Sequence, residues 1–194
     1  MIVGITGGIG CGKSVVSKII GLMGYPVYDS DKNAKKIVDE SDEIRTGLIS
    51  RFGTEIYNGT KLNRKLLAEK IFSDNEARSF VNSLIHPAVL KDFIRWSELN
   101  LKKVDVVFIE SAILFESGFN KYVDKILLVI STEKLRIERV KKRDNALTSE
   151  VRKRIQSQFP QKELIKKSDF IIKNDEKKSI LQQIRLFLEN IHSE

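Results

Sequence analysis

With 194 residues, 41% of them hydrophobic and 31% charged, the chain has material for one well-buried α/β core plus an insertion, and is short for two independent domains. No run approaches about 18 uninterrupted apolar residues, the opening Met1-Ile2-Val3-Gly4-Ile5 shows no basic leader, and the lone Cys11 cannot form an internal disulfide. Disordered, fibrous and membrane-spanning classes are therefore excluded, a reducing, cytoplasmic setting is expected, and of the net charge of +8 an excess of seven lies between Thr132 and Lys167.

The first predicted element is a β-branched strand, Ile2–Thr6. It runs into Gly7-Gly8-Ile9-Gly10-Cys11-Gly12-Lys13-Ser14, which fills every fixed position of G-x-x-x-x-G-K-[ST], and a helix is expected from Val15 to Met23. Such glycines let consecutive backbone N–H groups turn inward around a phosphate, while the following helix points its positive end at the same place. Gly8, Gly10, Cys11, Gly12, Lys13, Ser14 and Val15 are thus the expected ATP-binding residues. Lys13 supplies charge to the β and γ phosphates, and the Ser14 hydroxyl suits Mg²⁺. Cys11 is read as a small residue that fits the loop.

A second strand, Pro26–Tyr28, leads to Asp29-Ser30-Asp31. As an extended segment this directs two carboxylates to one side, where one can take a proton from an attacking hydroxyl or help place a metal, Asp29 doing so through water. The competing use is capping a helix that starts near Lys32. From residue 31 to 103 the chain reads almost entirely helical, punctuated at Gly53, Asn58-Gly59 and His86-Pro87, with no strand. Further strands are expected at Val104–Ile109, Ile126–Ile130 and Phe170–Ile172, giving a parallel five-stranded sheet with helices on both faces. Between the last two strands, Glu133–Asp144 and Glu150–Lys167 read as helices, the latter broken near Pro160. A final helix from Ser179 carries apolar residues at 180, 181, 184, 187, 188 and 191, all expected in the core.

Several residues keep two readings. Arg64 suits either a substrate phosphate or a surface ion pair. His86, before a proline that often opens a helix, suits either a buried hydrogen bond or substrate contact. Glu116 would orient substrate, complete a metal shell through water, or pair with an arginine. Arg139 and Arg143, at i and i+4, share a helix face and can meet phosphate oxygens together. Arg136, Lys141 and Lys142 are read as a solvated basic face.

In chain order, Thr6 through Ser14, Asp29-x-Asp31, Phe52-Gly53, Leu62-Asn63-Arg64, Ile71-Phe72, His86-Pro87, Leu114-Phe115-Glu116, Arg139-x-x-x-Arg143-Asp144, Gln158 and Asp169 through Asn174 resemble the dephospho-coenzyme A kinase family. The resemblance spans nearly the whole chain. It implies a P-loop NTPase-type three-layer α/β fold: one kinase domain over 1–194, with a core of about 1–30, 104–131 and 168–194, a helical acceptor-binding insertion of about 31–103, and a basic helical lid of about 132–167. The implied reaction is ATP- and Mg²⁺-dependent phosphorylation of the 3′-hydroxyl of the ribose of dephospho-CoA. Asp31 matches the catalytic base, Lys13, Arg139 and Arg143 the phosphate-handling residues, Asn174 an adenine contact, and Asp31, Arg64, His86 and Glu116 the acceptor side. Ala112-Ile113-Leu114, Asn63 and Asp175 depart from the family pattern, which bears on the substrate side rather than the cradle. The alternatives are another small-molecule or nucleoside monophosphate kinase, and a nucleotide-switched nucleic-acid module. With Phe159 as its single aromatic, the basic segment lacks a stacking platform, so neither nucleic acid nor membrane is an expected partner.

Overall fold

Five short strands rich in Val, Ile, Leu and Phe form one sheet in the computed structural model, which describes residues 1–72 and 74–193. They are β1 (Ile2–Thr6), β2 (Val27–Asp29), β5 (Val107–Glu110), β6 (Lys125–Ile130) and β7 (Phe170–Lys173), in the spatial order β2-β5-β1-β6-β7. Parallel registers pair Val3 with Phe108, Ile5 with Leu127 and Val129 with Ile172. Edge strand β2 is joined where the Phe108 N–H donates to the Pro26 carbonyl at 2.9 Å. β5 begins three residues later than the sequence suggests. The Val104 N–H still donates to Asn100, closing the last turn of the preceding helix before the chain can extend.

Around the sheet, Val16 and Ile20 of α1 (Lys13–Leu22) and Ile184, Phe187, Leu188 and Ile191 of α9 (Ile180–His192) join Val3, Ile5, Phe108, Leu127, Val129 and Ile172 in one buried cluster. Each such side chain contributes roughly 1.5–3 kcal/mol by leaving water. Phe187 also meets the rings of Phe108 and Phe170 edge-on, at 6.3 and 4.9 Å. Leu181 does not join them. It sits in the first turn of α9 at the edge of the apolar stripe and is 44% exposed.

The chain divides into two compact units, one made of Met1–Tyr28 with Ser97–Glu194 and the other of Asp29–Trp96. The second is built from α2 (Ser30–Glu40), α3 (Asp42–Phe52), a 3₁₀ turn (Thr54–Ile56), α4 (Arg64–Ile71) and much of α5 (Asn75–Leu101). Val38, Ile44, Leu48, Ile56, Tyr57, Leu62, Leu67 and Val81 form its own core. Its helices start on side-chain caps: Asp29 accepts from the Lys32 N–H, Ser41 from Ile44 and Asn63 from Leu66, each such cap being worth about 1 kcal/mol.

Two features of this unit correct the sequence reading. The unit contains strands after all: β3 (Tyr57–Asn58) and β4 (Lys61–Leu62) pair antiparallel around Asn58-Gly59, where Gly59 takes a positive φ. Two-residue strands leave no alternation for a sequence pattern to show. Pro87 opens no helix but lies inside the continuous α5. Lacking an N–H, it costs that helix one rung, at the carbonyl of Ser83.

The basic segment folds as α6 (Glu133–Asp144), α7 (Thr148–Gln156) and α8 (Gln161–Lys166), with Pro160 at the start of α8. No described helix is long and apolar enough to cross a membrane.

Candidate functional site

The loop from Gly7 to Gly12 leaves β1 and enters α1 without a side-chain cap. Gly12 stands at the helix start with φ 89°, and a Cβ there would strike the Asn174 Nδ2. Only glycine fits both the backbone and the space. Among the described residues, the backbone N–H groups of Gly10, Gly12 and Ser14 meet no acceptor, whereas Cys11 donates to Gly8, and Val15 and Val16 both donate to Gly12. Unpaired amides at a helix N-terminus form an anion site. Lys13 Nζ donates to the Gly7 carbonyl at 2.7 Å and reaches that of Gly8 at 3.4 Å, so the ammonium rests within the loop itself. Ser14 is exposed, and Cys11 is buried as the small loop residue expected.

The end of β7 braces this loop. Asn174 is 7% exposed; its Nδ2 donates to the Cys11 carbonyl at 2.9 Å, and its Oδ1 accepts from Arg139 at 3.2 Å. The resemblance assigns this amide to adenine, but here both of its polar ends are engaged within the protein. Arg139 also donates to Ser131 Oγ, the Asn174 carbonyl and Glu176. Arg143, although one turn further on the same face, forks onto Asp144 at 2.7 and 3.0 Å, and Arg154 joins the same carboxylate at 3.0 Å. The Arg143 bond and its charge, outweighing the small cost of burial, hold the Asp144 carboxyl below its usual range. The two arginines thus meet different partners rather than one shared anion.

Arg136 overturns its reading as part of a solvated face. It is buried, with Nε donating to the Ile9 carbonyl at 2.9 Å, while Lys141 and Lys142 are exposed as expected. Gln158, quoted in the sequence only for its place in a motif, accepts the Ile9 N–H at 2.7 Å. The next residue, Phe159, donates its N–H to Glu116 at 3.3 Å and stacks on Phe115. Glu116 therefore holds backbone, not an arginine.

In the second unit, β2 ends at Asp29 and the chain turns helical at Ser30, so Asp29 and Asp31 are not i and i+2 of an extended segment. Asp29 is the cap of α2. Asp31 lies exposed in its first turn, with no hydrogen bond or ion pair among the described residues. Arg64 takes the ion-pair reading: one Nη lies 2.9 Å from both Asp39 Oδ2 and the Lys35 carbonyl. Asp39 loses some ionisation to burial but gains more from Arg64 and the Leu62 N–H, which together pull its carboxyl below the usual range.

His86 is half-buried and, against expectation, makes no hydrogen bond among the described residues. Burial alone pushes its imidazole below the ordinary 6.5. The unfolded chain therefore binds a proton more readily. The contribution is intact above about pH 6.5 and is lost as pH falls through the lower folded value. His86→Gln removes it, so the stability gap between variant and wild type in urea titrations should shift in the variant's favour from about pH 7.5 to 5. A gap independent of pH would contradict this.

The family model described as dephospho-CoA kinase matches residues 1–179. The chain belongs to the dephospho-CoA kinase family. A dephospho-CoA kinase of Bacteroides fragilis is 44% identical over 182 residues, covering 94% of this chain and 88% of its own. One of Porphyromonas gingivalis is 41% identical over 193 residues, covering 98% and 94%. Among solved structures, TT1252 from Thermus thermophilus superimposes with a TM-score of 0.82 at 30% identity, over 100% of this chain and 96% of its own. A dephospho-CoA kinase from Campylobacter jejuni gives 0.74 at 27%, over 98% and 96%. A shikimate kinase from Acinetobacter baumannii, at 0.56 and 13% identity over 99% and 93%, shares the fold alone.

The three-layer α/β arrangement is thus that of the P-loop kinases, and the chain is a phosphotransferase of the dephospho-CoA kinase family. The residues that sequence reasoning missed, Arg136 and the side chain of Gln158, are the ones that grip the loop of Gly7 to Ser14. One signal pointed to Arg136: it stands four residues before Val140, on the buried face of α6.

Proposed function

We propose that the chain transfers the γ-phosphoryl group of ATP to the 3′-hydroxyl of the ribose of dephospho-CoA, giving coenzyme A and ADP. One observation carries the donor half: among the described residues the amides of Gly10, Gly12 and Ser14 stand without acceptors around the N-terminus of α1, with the Lys13 ammonium on the carbonyls of the same loop. The family carries the acceptor. Transfer is direct and in line, with positioning and electrostatics supplying the catalysis. Loop amides and Lys13 bind the β and γ phosphates, Asp31 accepts the proton of the ribose hydroxyl, and Arg139 and Arg143 exchange carboxylate partners for phosphate oxygens as the lid, about 132–167, closes and excludes water. Asn174, whose amide donates to the Cys11 carbonyl, braces the donor loop. Arg64 and His86, within an insertion of about 31–103, and Glu116, just past β5, belong to the acceptor side.

The donor set suits Mg²⁺. The exposed Ser14 hydroxyl offers one protein oxygen to an ion otherwise held by phosphates and water. When bound, the ion neutralises developing charge on the transferred phosphoryl group. Asp29 is assigned the cap of α2. The setting is cytoplasmic, with neither nucleic acid nor membrane as partner.

Incubation with ATP, Mg²⁺ and dephospho-CoA, followed by mass detection, should yield coenzyme A with its new phosphate on the ribose 3′ position. Phosphorylation of shikimate or a nucleoside monophosphate, with dephospho-CoA left unchanged, would overturn the assignment.

A further inference from the structure

Arg136 is the one charged side chain fully buried among the described residues, 6% exposed, where α6 meets the phosphate loop. Its Nε donates to the Ile9 carbonyl at 2.9 Å, and an Nη lies 3.5 Å from Gln158 Oε1, the atom that accepts the Ile9 N–H at 2.7 Å. Both partners are neutral. Arg139, Arg143 and Arg154 each meet a carboxylate, while Arg136 meets none among the described residues. The loop is packed directly on it: a Cβ at Gly8 would strike its Nη, and one at Gly10 its carbonyl and Cα.

Two consequences follow from the chemistry. The Ile9 carbonyl and the Gly10 N–H belong to one trans peptide, so they point in opposite directions. An arginine that holds the carbonyl therefore sets the direction of the N–H, which meets no acceptor among the described residues, and polarises it. Further, a buried guanidinium given only neutral acceptors is a net cost to the unliganded fold, and an arriving anion offsets that cost through a medium of low dielectric.

We propose that Arg136 is a positioning residue of the donor site, aiming the Gly10 N–H and holding in reserve a positive charge that is balanced only when a nucleoside polyphosphate is bound. The inference rests on the reading of the loop as an ATP site. It predicts an effect that grows with phosphate charge and is absent from the unliganded fold.

Calorimetric titration with ATP and with AMP, and thermal melting with and without ATP, on wild type, Arg136→Gln and Arg136→Lys test it. Arg136→Gln should bind ATP about tenfold more weakly, equal to about 1.4 kcal/mol, and AMP less than about threefold more weakly. Its unliganded Tm should be within about 2 °C of wild type or higher, with a smaller rise on adding ATP. Arg136→Lys keeps the charge and should hold ATP affinity within about threefold. Equal losses for ATP and AMP, a loss in Arg136→Lys as large as in Arg136→Gln, undiminished ATP binding in Arg136→Gln, or failure of Arg136→Gln to fold would each overturn the inference. Wild type that binds no ATP would instead overturn the reading beneath it.

Discussion

Replacing Asp31 by asparagine should lower kcat by about 10²–10⁴-fold while leaving the Kd for ATP within about twofold. Asparagine has the same shape and cannot accept the ribose proton as a carboxylate does. Nothing in the fold obscures the comparison, because Asp31 is exposed in the first turn of α2 and bonds to no other described residue. At most a modest favourable interaction with the helix N-terminus is lost, about 0.3–1 kcal/mol of stability. Asp29 provides the control. It caps α2 through the Lys32 N–H at 2.9 Å, and asparagine caps equally well, so Asp29→Asn should keep wild-type turnover and stability. Steady-state rates and ATP titrations on the two variants separate base from cap. Turnover near wild type in Asp31→Asn would remove Asp31 from the chemistry, and a collapse in Asp29→Asn would move the base to that residue.

The phosphate loop was legible because its chemistry is written locally. Glycines at fixed spacing, a β-branched strand before them and an amphipathic helix after them already determine a turn that exposes amides, and the five strands of the sheet show as apolar runs for similar reasons. What stayed hidden depends on contacts distant in sequence. Arg136 and Lys141 look alike as basic residues of one helix, yet one lies against Ile9, more than a hundred residues away, and the other in solvent. Spacing put Arg139 and Arg143 on one face, but the acceptors beside that face, Glu176 and Asp144, draw them apart. The Asp29-Ser30-Asp31 segment was ambiguous in itself: the same three residues suit a strand end and a helix start. The cap to Lys32 decides for the helix. Pro87 misled because a helix of 27 residues can give up one rung where a shorter one would break there.

Lys13→Met is expected to reduce kcat/KM by about 10²–10³-fold, by the size of loss seen when a preorganised donor is removed from a transition-state site. The ammonium donates to the Gly7 and Gly8 carbonyls at 2.7 and 3.4 Å. Those acceptors are neutral and belong to the loop that surrounds the phosphates, so exchanging them for β and γ oxygens trades ordinary hydrogen bonds for charge-assisted ones about twice as strong. Little else need move. Methionine keeps the length and apolar stem while removing the charge, and the fold should lose the modest net worth of these bonds, about 0.5–1.5 kcal/mol each. Lys13→Arg should not rescue, because a planar guanidinium replaces a compact ammonium in a turn already packed against Val129 and Asn174 at Gly7 and Gly12. The signature also differs from that of Asp31→Asn: Lys13→Met should raise the Kd for ATP as well as lower kcat, since the interaction begins in the bound complex and strengthens as charge develops. A variant that folds, binds ATP as tightly as wild type and turns over normally would show that the loop of Gly7 to Ser14 is not where the phosphoryl group is handled.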